Sequence, residues 1–428
     1  MMMNKVRNGI LWTGVEKTLV NGVAFFQGVW LARLLGPEDF GLAAMLGVFL
    51  SLGTVFAESG LGTALVVYLP SGTRPGKVAG VERRAWRWNM GTACLIYLLL
   101  VCVSPAVADW YRQPVLMPLM TVMALNIVLN AASVAAVARL TRMFSFGRLA
   151  GVNGVCSVAS ATVALVLAYA GWGVWSIAAM GLSGTGLKAV LSWWACRSCE
   201  KAEPEAVSRT EFRRILGCGL KLMASGAVHV LYLESYNLIV GKKWSPTMVG
   251  LFARGQRWAR LPGEIVNESV CRVALPQVAN GSLRDAVRMG LVNALLLVPG
   301  LLVLAVWAEE IVSFTLGPRW LDCVPCLRLV IVGQLFAPVS SIALLVLRAK
   351  GAAGEILKTD LVKKPLGFVA LGAGIPFGIT GLCWASVAND VIEAVVDLFF
   401  VWRCWKSGRL VSGAVGEAAA PSAGRTDA

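Results

Sequence analysis

The chain consists of long apolar segments separated by short polar ones, and this pattern continues over most of its length. An α-helix needs roughly 20 apolar residues to cross a bilayer, and most of the segments reach that length. The pattern therefore predicts an all-α integral membrane protein with about twelve transmembrane helices. The predicted spans are 8–34, 40–69, 86–107, 115–138, 147–170, 173–195, 214–240, 248–280, 289–311, 323–348, 364–378 and 381–404.

The composition excludes a water-soluble protein. Of the 428 residues, 57% are hydrophobic and 15% are charged, against roughly 25% charged in a soluble domain. The spans leave no segment long enough for an independent soluble domain, which also excludes a catalytic domain on a membrane anchor. The first apolar run contains Glu16 and Lys17 and continues to Leu35. It is much longer than the apolar core of a signal peptide, so we expect a mature first helix.

The net charge of +15 could indicate a nucleic-acid partner, since a basic excess attracts phosphate. The charges lie between the apolar spans, however, and most of the 39 Lys and Arg residues fall on the same predicted side as the N-terminus. Such an asymmetry orients membrane proteins with the basic side in the cytoplasm. We therefore expect cytoplasmic N- and C-termini and no nucleic-acid partner. The opposite side receives Arg33, Arg112, Lys242, Lys243 and Arg319.

Eleven cysteines are present, most of them single within apolar runs, where cysteine behaves as a small hydrophobe. Two CxxC pairs, Cys196/Cys199 and Cys323/Cys326, fall on opposite predicted faces of the membrane. A shared zinc site is therefore not expected. The sequence predicts no metal and no cofactor.

A repeat relates the two halves of the chain. The pattern P-x-x-x-G-L occurs at Pro37–Leu42 and again at Pro246–Leu251, an offset of 209 residues. Six helices per repeat bring both halves into the membrane in the same direction, so the axis that relates them follows the membrane normal. This predicts two parallel six-helix lobes, residues 1–195 and 214–404, around a central cavity. Pro37, Gly41, Pro246 and Gly250 are the predicted structural turns.

Two segments lie outside the lobes. Residues 196–213 mix acidic and basic side chains, which is typical of a solvated cytoplasmic linker. Residues 405–428 are rich in Gly, Ala, Ser and Pro, a composition that predicts a disordered cytoplasmic tail.

Ionisable side chains at membrane depth cost free energy, so they indicate a cavity or a buried ion pair. The predicted span 248–280 has the most, and they fall on one face of the helix. The last four are spaced i,i+4 and can pair along the helix, whereas Arg254 and Arg257 lack such a partner. One interpretation is a cationic cavity wall that binds a pyrophosphate; the alternative is snorkelling of the outer arginines and internal pairing of the others. The six residues are Arg254, Arg257, Arg260, Glu264, Glu268 and Arg272.

The predicted span 381–404 carries three acids on one face, which require cations or protons to coexist. They suggest an ion-coupling site for a proton or sodium ion; the alternative is pairing with basic residues of 248–280 or 323–348. These acids are Asp390, Glu393 and Asp397. In the first half, Glu16, Lys17 and Glu58 are the corresponding candidates for substrate binding in the cavity.

The residues that soluble enzymes use are missing from the pattern. No GxxxxGK[ST] motif is present, which argues against ATP-driven transport. His229 is the single histidine, and the short loops cannot assemble a hydrolytic site. We therefore expect a protein that is not an enzyme.

Several segments resemble those of bacterial polysaccharide transporters. The family is that of the Wzx-type oligosaccharide flippases within the MATE-related flippase superfamily, in its lipopolysaccharide and exopolysaccharide biosynthesis branch. The resemblance runs from about Asn8 to Trp405, and its most specific part joins the first predicted helix to the second. The segments are ARLLGPEDFGLAAM (32–45), SGLGTALV (59–66), RMFSFGRLA (142–150), GVWSIA (173–178) and YNLIVGKKWSPTMVGLFARGQ (236–256).

The resemblance implies a function in the inner (plasma) membrane of a bacterium. A polyprenyl-pyrophosphate-linked oligosaccharide would move from the cytoplasmic to the periplasmic leaflet by alternating access, between glycosyltransferases and a polysaccharide polymerase of the same pathway. Related lipid II flippases use arginines in the first lobe, where this chain has Glu16 and Lys17. The alternatives are a MATE-type ion-coupled antiporter for drugs or cations, and a membrane-embedded polymerase or ligase, which would need a large outward loop.

Overall fold

In a computed structural model the chain forms helices joined by short turns. The structure describes residues 2–58, 60, 61, 65, 74–143, 145–198, 205, 208–280, 283–349 and 353–407. Within these ranges there is no β-strand. Each predicted span corresponds to a helix or to a pair of consecutive helices, and the all-α membrane fold predicted from the sequence is confirmed.

The helices follow one another closely. The first six are α1 (Met2–Leu34), α2 (Pro37–Glu58), α3 (Pro75–Tyr111), α4 (Leu116–Arg142), α5 (Phe146–Tyr169) and α6 (Val174–Ala195). The others are α7 (Arg209–Lys243), α8 (Pro246–Asn280), α9 (Leu283–Val306), α10 (Ala308–Thr315), α11 (Val324–Gln334), α12 (Ala337–Ala349), α13 (Ala353–Gly374) and α14 (Gly378–Lys406). Short 3₁₀ turns occupy Cys196–Ser198, Pro318–Cys323 and Ile375–Phe377.

Most of the helices are suited to a lipid environment. Among the described residues, seven helical stretches are long and apolar enough to cross a membrane, and the broken pair around α11 and α12, bent by 41°, can count as an eighth. Large apolar side chains such as Leu95, Leu295 and Val369 lie on the outside of the protein. Helices α1, α7 and α8 are not among these stretches. They carry charges that lipid would not accommodate, so protein or water must face them.

The chain divides into two compact units. The first comprises Met1–Leu251 with Thr315–Arg319, and the second comprises Phe252–Phe314 with Trp320–Ala428. Helix α7 and the first turn of α8 thus belong to the first unit. The lobes expected from the sequence, 1–195 and 214–404, are the two copies of the repeat, whereas the two units are the compact parts of the chain. The lobes therefore stay a prediction. Most of the linker expected at 196–213 and the tail beyond residue 407 lie outside the described residues.

The two copies of the repeated motif lie against each other within the first unit. Both α2 and α8 begin with proline, which suits the first helical position because the N–H it lacks has no partner there. A Cβ on Gly41 would overlap the carbonyl of Pro246, and a Cβ on Gly250 would overlap the carbonyl of Pro37. Only glycine therefore permits this approach of the two helix starts.

Candidate functional site

The charged face of α8 lies in the second unit. Arg257 and Glu264 form an ion pair of 3.1 Å, and both side chains are more than half exposed. Arg260 donates from Nη2 to Ser386 Oγ on α14 at 3.2 Å. The expected pairing of Arg260 with Glu264 is therefore not observed. Arg260 is turned towards α14, and the long side chain of Arg257 reaches Glu264 across two helical turns.

The depth of these arginines follows from helix geometry. Arg257 is eleven residues beyond Pro246, which places it roughly 16 Å along α8 at ~1.5 Å per residue. The Arg254 guanidinium carbon lies 5.7 Å from the centre of the Trp320 ring, a cation–π contact that holds this arginine in place. The side chain of Glu268 lies outside the described residues.

An ion pair that is almost completely buried in the protein joins α14 to α13. Lys363 Nζ is 2.9 Å from Asp397 Oδ1 and 3.2 Å from Asp397 Oδ2. Ser340 on α12 donates to Asp397 Oδ2 at 2.5 Å. Only 4% of the Lys363 side chain and 0% of that of Asp397 is exposed. A second carboxylate, Asp360, is 3.7 Å from the same ammonium and is half exposed.

The other two α14 acids also have partners. Asp390 Oδ2 accepts a hydrogen bond from Gln334 Nε2 at 2.9 Å. Glu393 lies 3.5 Å from Lys364 Nζ and accepts from Asn389 Nδ2 at 3.4 Å. The lysine partners of Glu393 and Asp397 come from α13, whereas the sequence pointed to basic residues of 248–280 or 323–348. The predicted helix began at residue 364 and left both lysines at a membrane boundary, whereas α13 begins at Ala353.

Amide side chains form a further polar cluster in the second unit. Asn293 Nδ2 donates to Asn267 Oδ1 at 2.6 Å and to Ser341 Oγ at 3.1 Å. Ser341 in turn donates to Asn267 at 3.3 Å. The cluster joins α8, α9 and α12. Its members carry no charge, so the pattern of ionisable residues does not reveal it.

The first unit holds two carboxylate–amide pairs. Glu16 on α1 accepts from Asn153 Nδ2 on α5 at 2.6 Å. Glu58 on α2 accepts from Asn130 Nδ2 on α4 at 2.6 Å. Lys17 is half-buried beside Glu16 on α1. The two asparagines were missed, and a search for amides at membrane depth would have found them.

A third carboxylate of the first unit, Glu234 on α7, was also missed. It accepts from Asn237 Nδ2 at 3.0 Å, and its Oε2 lies 2.8 Å from where a Cβ on Gly47 of α2 would stand. Glycine at position 47 therefore makes room for this carboxylate between α2 and α7. The structure places Glu16, Lys17 and Glu58 in the first unit and the α8 and α14 candidates in the second.

Two sequence comparisons both identify proteins of polysaccharide biosynthesis. The sequence profile of a family described as "polysaccharide biosynthesis protein" matches residues 30–325. The lipopolysaccharide biosynthesis protein WzxC of Escherichia coli (strain K12) is 20% identical over 129 residues, which are 30% of this chain and only 25% of WzxC.

Solved structures share the fold. The lipid II flippase MurJ in an inward closed conformation aligns with a TM-score of 0.76 and 13% identity, over 91% of this chain and 87% of MurJ. An inward-facing multidrug transporter of the MATE family gives 0.65 and 12%, over 95% and 100% of the two chains. The eukaryotic MATE transporter AtDTX14 gives 0.62 and 15%, over 96% and 98%. At these identities the likeness establishes the fold alone.

Proposed function

The chain belongs to the polysaccharide biosynthesis protein family, and on this premise we propose that it is a flippase for a lipid-linked oligosaccharide. The substrate is a polyprenyl-pyrophosphate-linked repeat unit, and alternating access moves it from the cytoplasmic to the periplasmic leaflet of a bacterial inner membrane. The pathway is lipopolysaccharide or exopolysaccharide biosynthesis. Glycosyltransferases supply the substrate and a polymerase consumes it.

The arginine face of α8 is the observation that carries this proposal. Arg257 is more than half exposed and belongs to the span 248–280 predicted from the sequence, where an ionised group needs water or an anion rather than hydrocarbon. Its partner Glu264 is equally accessible, so an incoming anion competes for the guanidinium at little cost. Guanidinium groups bind phosphate oxygens through two parallel hydrogen bonds. Arg254, Arg257 and Arg260 are therefore the proposed pyrophosphate contacts.

The saccharide contacts are proposed in the first unit. The Glu16–Asn153 and Glu58–Asn130 pairs combine acceptor oxygens with amide donors, and sugar hydroxyls need both. Lys17 is proposed beside them. The α14 acids Asp390, Glu393 and Asp397 are the proposed coupling residues for a proton, because a carboxylate can bind and release one.

The test is export by the double variant Arg254→Gln/Arg257→Gln in a strain that lacks its own copy of the gene. Each hydrogen bond to a charged group contributes ~1.5–3 kcal/mol, so we expect at least about a tenfold fall in surface polymer. The lipid-linked precursor should accumulate in the membrane fraction. Immunoblotting measures whether the variant reaches the membrane in normal amounts.

The matched control is Arg328→Gln. This arginine also forms an exposed ion pair, 3.0 Å from Glu309, but it lies on α11 and should leave export unchanged. Normal export by a well-expressed double variant would remove the arginine assignment. A MATE-type antiporter would instead confer drug resistance on an overexpressing strain, and its deletion would leave the precursor level unchanged.

A further inference from the structure

Two of the three carboxylates of α14 face a lysine ammonium of the second unit, and the third, Asp390, accepts a hydrogen bond from Gln334. Asp397 faces the Lys363 ammonium at 2.9 Å, and Glu393 faces that of Lys364 at 3.5 Å. A buried carboxylate without such a partner would be strongly unfavourable. The protein itself therefore supplies the counter-charges of Asp397 and Glu393.

Lys363 occupies the place that a metal cation would need. Its ammonium stands in front of both carboxylate oxygens of Asp397, at 2.9 and 3.2 Å, and the hydroxyl oxygen of Ser340 lies 2.5 Å from Asp397 Oδ2. Oxygen atoms of this kind are the ligands of hard cations. The lysine stem reaches this position from α13 along a path that excludes water, since 4% of the side chain is exposed.

We propose that Lys363 is a tethered counter-cation that keeps alkali-metal ions out of the Asp397–Ser340 oxygen set. The protein then needs no bound sodium ion, and the set becomes a site for an alkali-metal ion only when the ammonium is removed. The consequence for transport, a cycle indifferent to the sodium gradient, rests on the proposed function. The binding of a cation to the Asp397–Ser340 oxygen set does not rest on the proposed function.

If Lys363 had only a structural role, its removal would have a different effect. Losing it would leave Asp397 as an unpaired buried charge, and no ion would restore the loss. A tethered cation that shares its position with a metal ion can be replaced by one, provided that the substitution leaves room. Alanine at position 363 removes the ammonium and its aliphatic stem, which frees space beside Asp397.

The experiment is thermal unfolding of the purified full-length protein in detergent, in sodium chloride and in choline chloride at equal ionic strength. Wild-type protein should unfold at the same temperature in both salts. Lys363→Ala should unfold earlier in choline, and sodium should raise its Tm saturably by at least about 2 °C, because a ligand that binds only the folded state stabilises it. Lys363→Ala/Asp397→Asn should lose the sodium response. Lys358→Ala, at a more exposed lysine of α13 that pairs with Glu355, is the matched control and should show none.

Three results would overturn the proposal. The first is a sodium-specific stabilisation of wild-type protein that Asp397→Asn abolishes. The second is a folded Lys363→Ala variant without a sodium response. The third is a Lys363→Ala variant that fails to fold in either salt while the charge-free double variant folds. The measurement requires no substrate, so failure of the export test leaves it standing, and its failure leaves the export test standing.

Discussion

At the scale of single residues, the ion pairs of this protein differ in how deeply they are buried, and therefore in how much stability is lost when one partner is removed. Glu82 on α3 is 4% exposed and binds both Arg139 and Arg142 of α4. Its contact with Arg142 is 3.2 Å. Glu309 and Arg328 form a pair of 3.0 Å with about half of each side chain exposed. If the Glu309–Arg328 pair breaks, water can solvate both charges. Water cannot reach the buried Glu82 in the same way.

Glu82→Gln should therefore destabilise the protein by ~3–5 kcal/mol, the range for breaking a buried ion pair. The amide keeps the shape of the carboxylate but not its charge, so two arginines lose their counter-ion. Glu309→Gln should change stability by less than ~1 kcal/mol. Thermal unfolding of both variants in detergent measures the difference, and equal effects would contradict it.

Residue-level partners were the hardest feature to predict. Glu82 stands directly before Arg83 and Arg84 in the sequence, yet its observed partners are on the next helix, 57 and 60 residues away. Periodicity identifies which residues share a helix face but not which face of another helix they meet. The same reason explains why Arg257, and not Arg260, binds Glu264.

At the scale of elements, the repeated motif determines how two helices begin. Pro37 and Pro246 start α2 and α8, and Gly41 and Gly250 let each start approach the carbonyl of the other proline. The sequence pattern predicted turns at these four residues, whereas the two prolines are the first residues of the helices and the two glycines lie within them. It could not predict that the copies touch, because spacing carries no information about distance between helices.

Gly41→Ala should be strongly destabilising, because the added Cβ meets backbone atoms that cannot rotate away. Gly250→Ala should behave alike. Gly91→Ala on α3 is the control, since a Cβ there has no neighbour within 4 Å; removing a helical glycine at that position should stabilise by up to ~1 kcal/mol. Expression level and Tm test all three, and a Gly41→Ala variant as stable as wild-type would refute the close approach.

The first and last residues of a helix were predictable where the apolar run is long. They were less predictable where the first turns of the helix contain charged residues. Spans such as 147–170 and 173–195 coincide with α5 and α6 to within about one residue. Helix α13 begins eleven residues before its predicted start, because Glu355, Lys358, Asp360 and Lys363 resemble a loop by hydropathy. They are instead paired: Lys358 binds Glu355 at 2.7 Å, and Lys363 is buried against Asp397.

At the scale of the whole molecule, the distribution of charge along the sequence predicts the orientation in the membrane. Basic residues concentrate in segments on the N-terminal side of the predicted topology, and this asymmetry orients membrane proteins. A green fluorescent protein fused after Ser407 should therefore fluoresce in the cytoplasm. Alkaline phosphatase fused in the turn at Gly171–Gly173, between α5 and α6, should be active on the opposite side. Activity in the reverse pattern would invert the topology.

The contact between the two motif copies also bears on the history of the chain. Gly41 meets Pro246 while Gly250 meets Pro37, the reciprocity of an isologous interface in which one surface binds its own copy. A half-length ancestor with a single motif would have made this contact with a second molecule of itself. Gene duplication and fusion would then have turned a homodimer into one chain. Each glycine now constrains the other, so that neither position can drift while its partner stays.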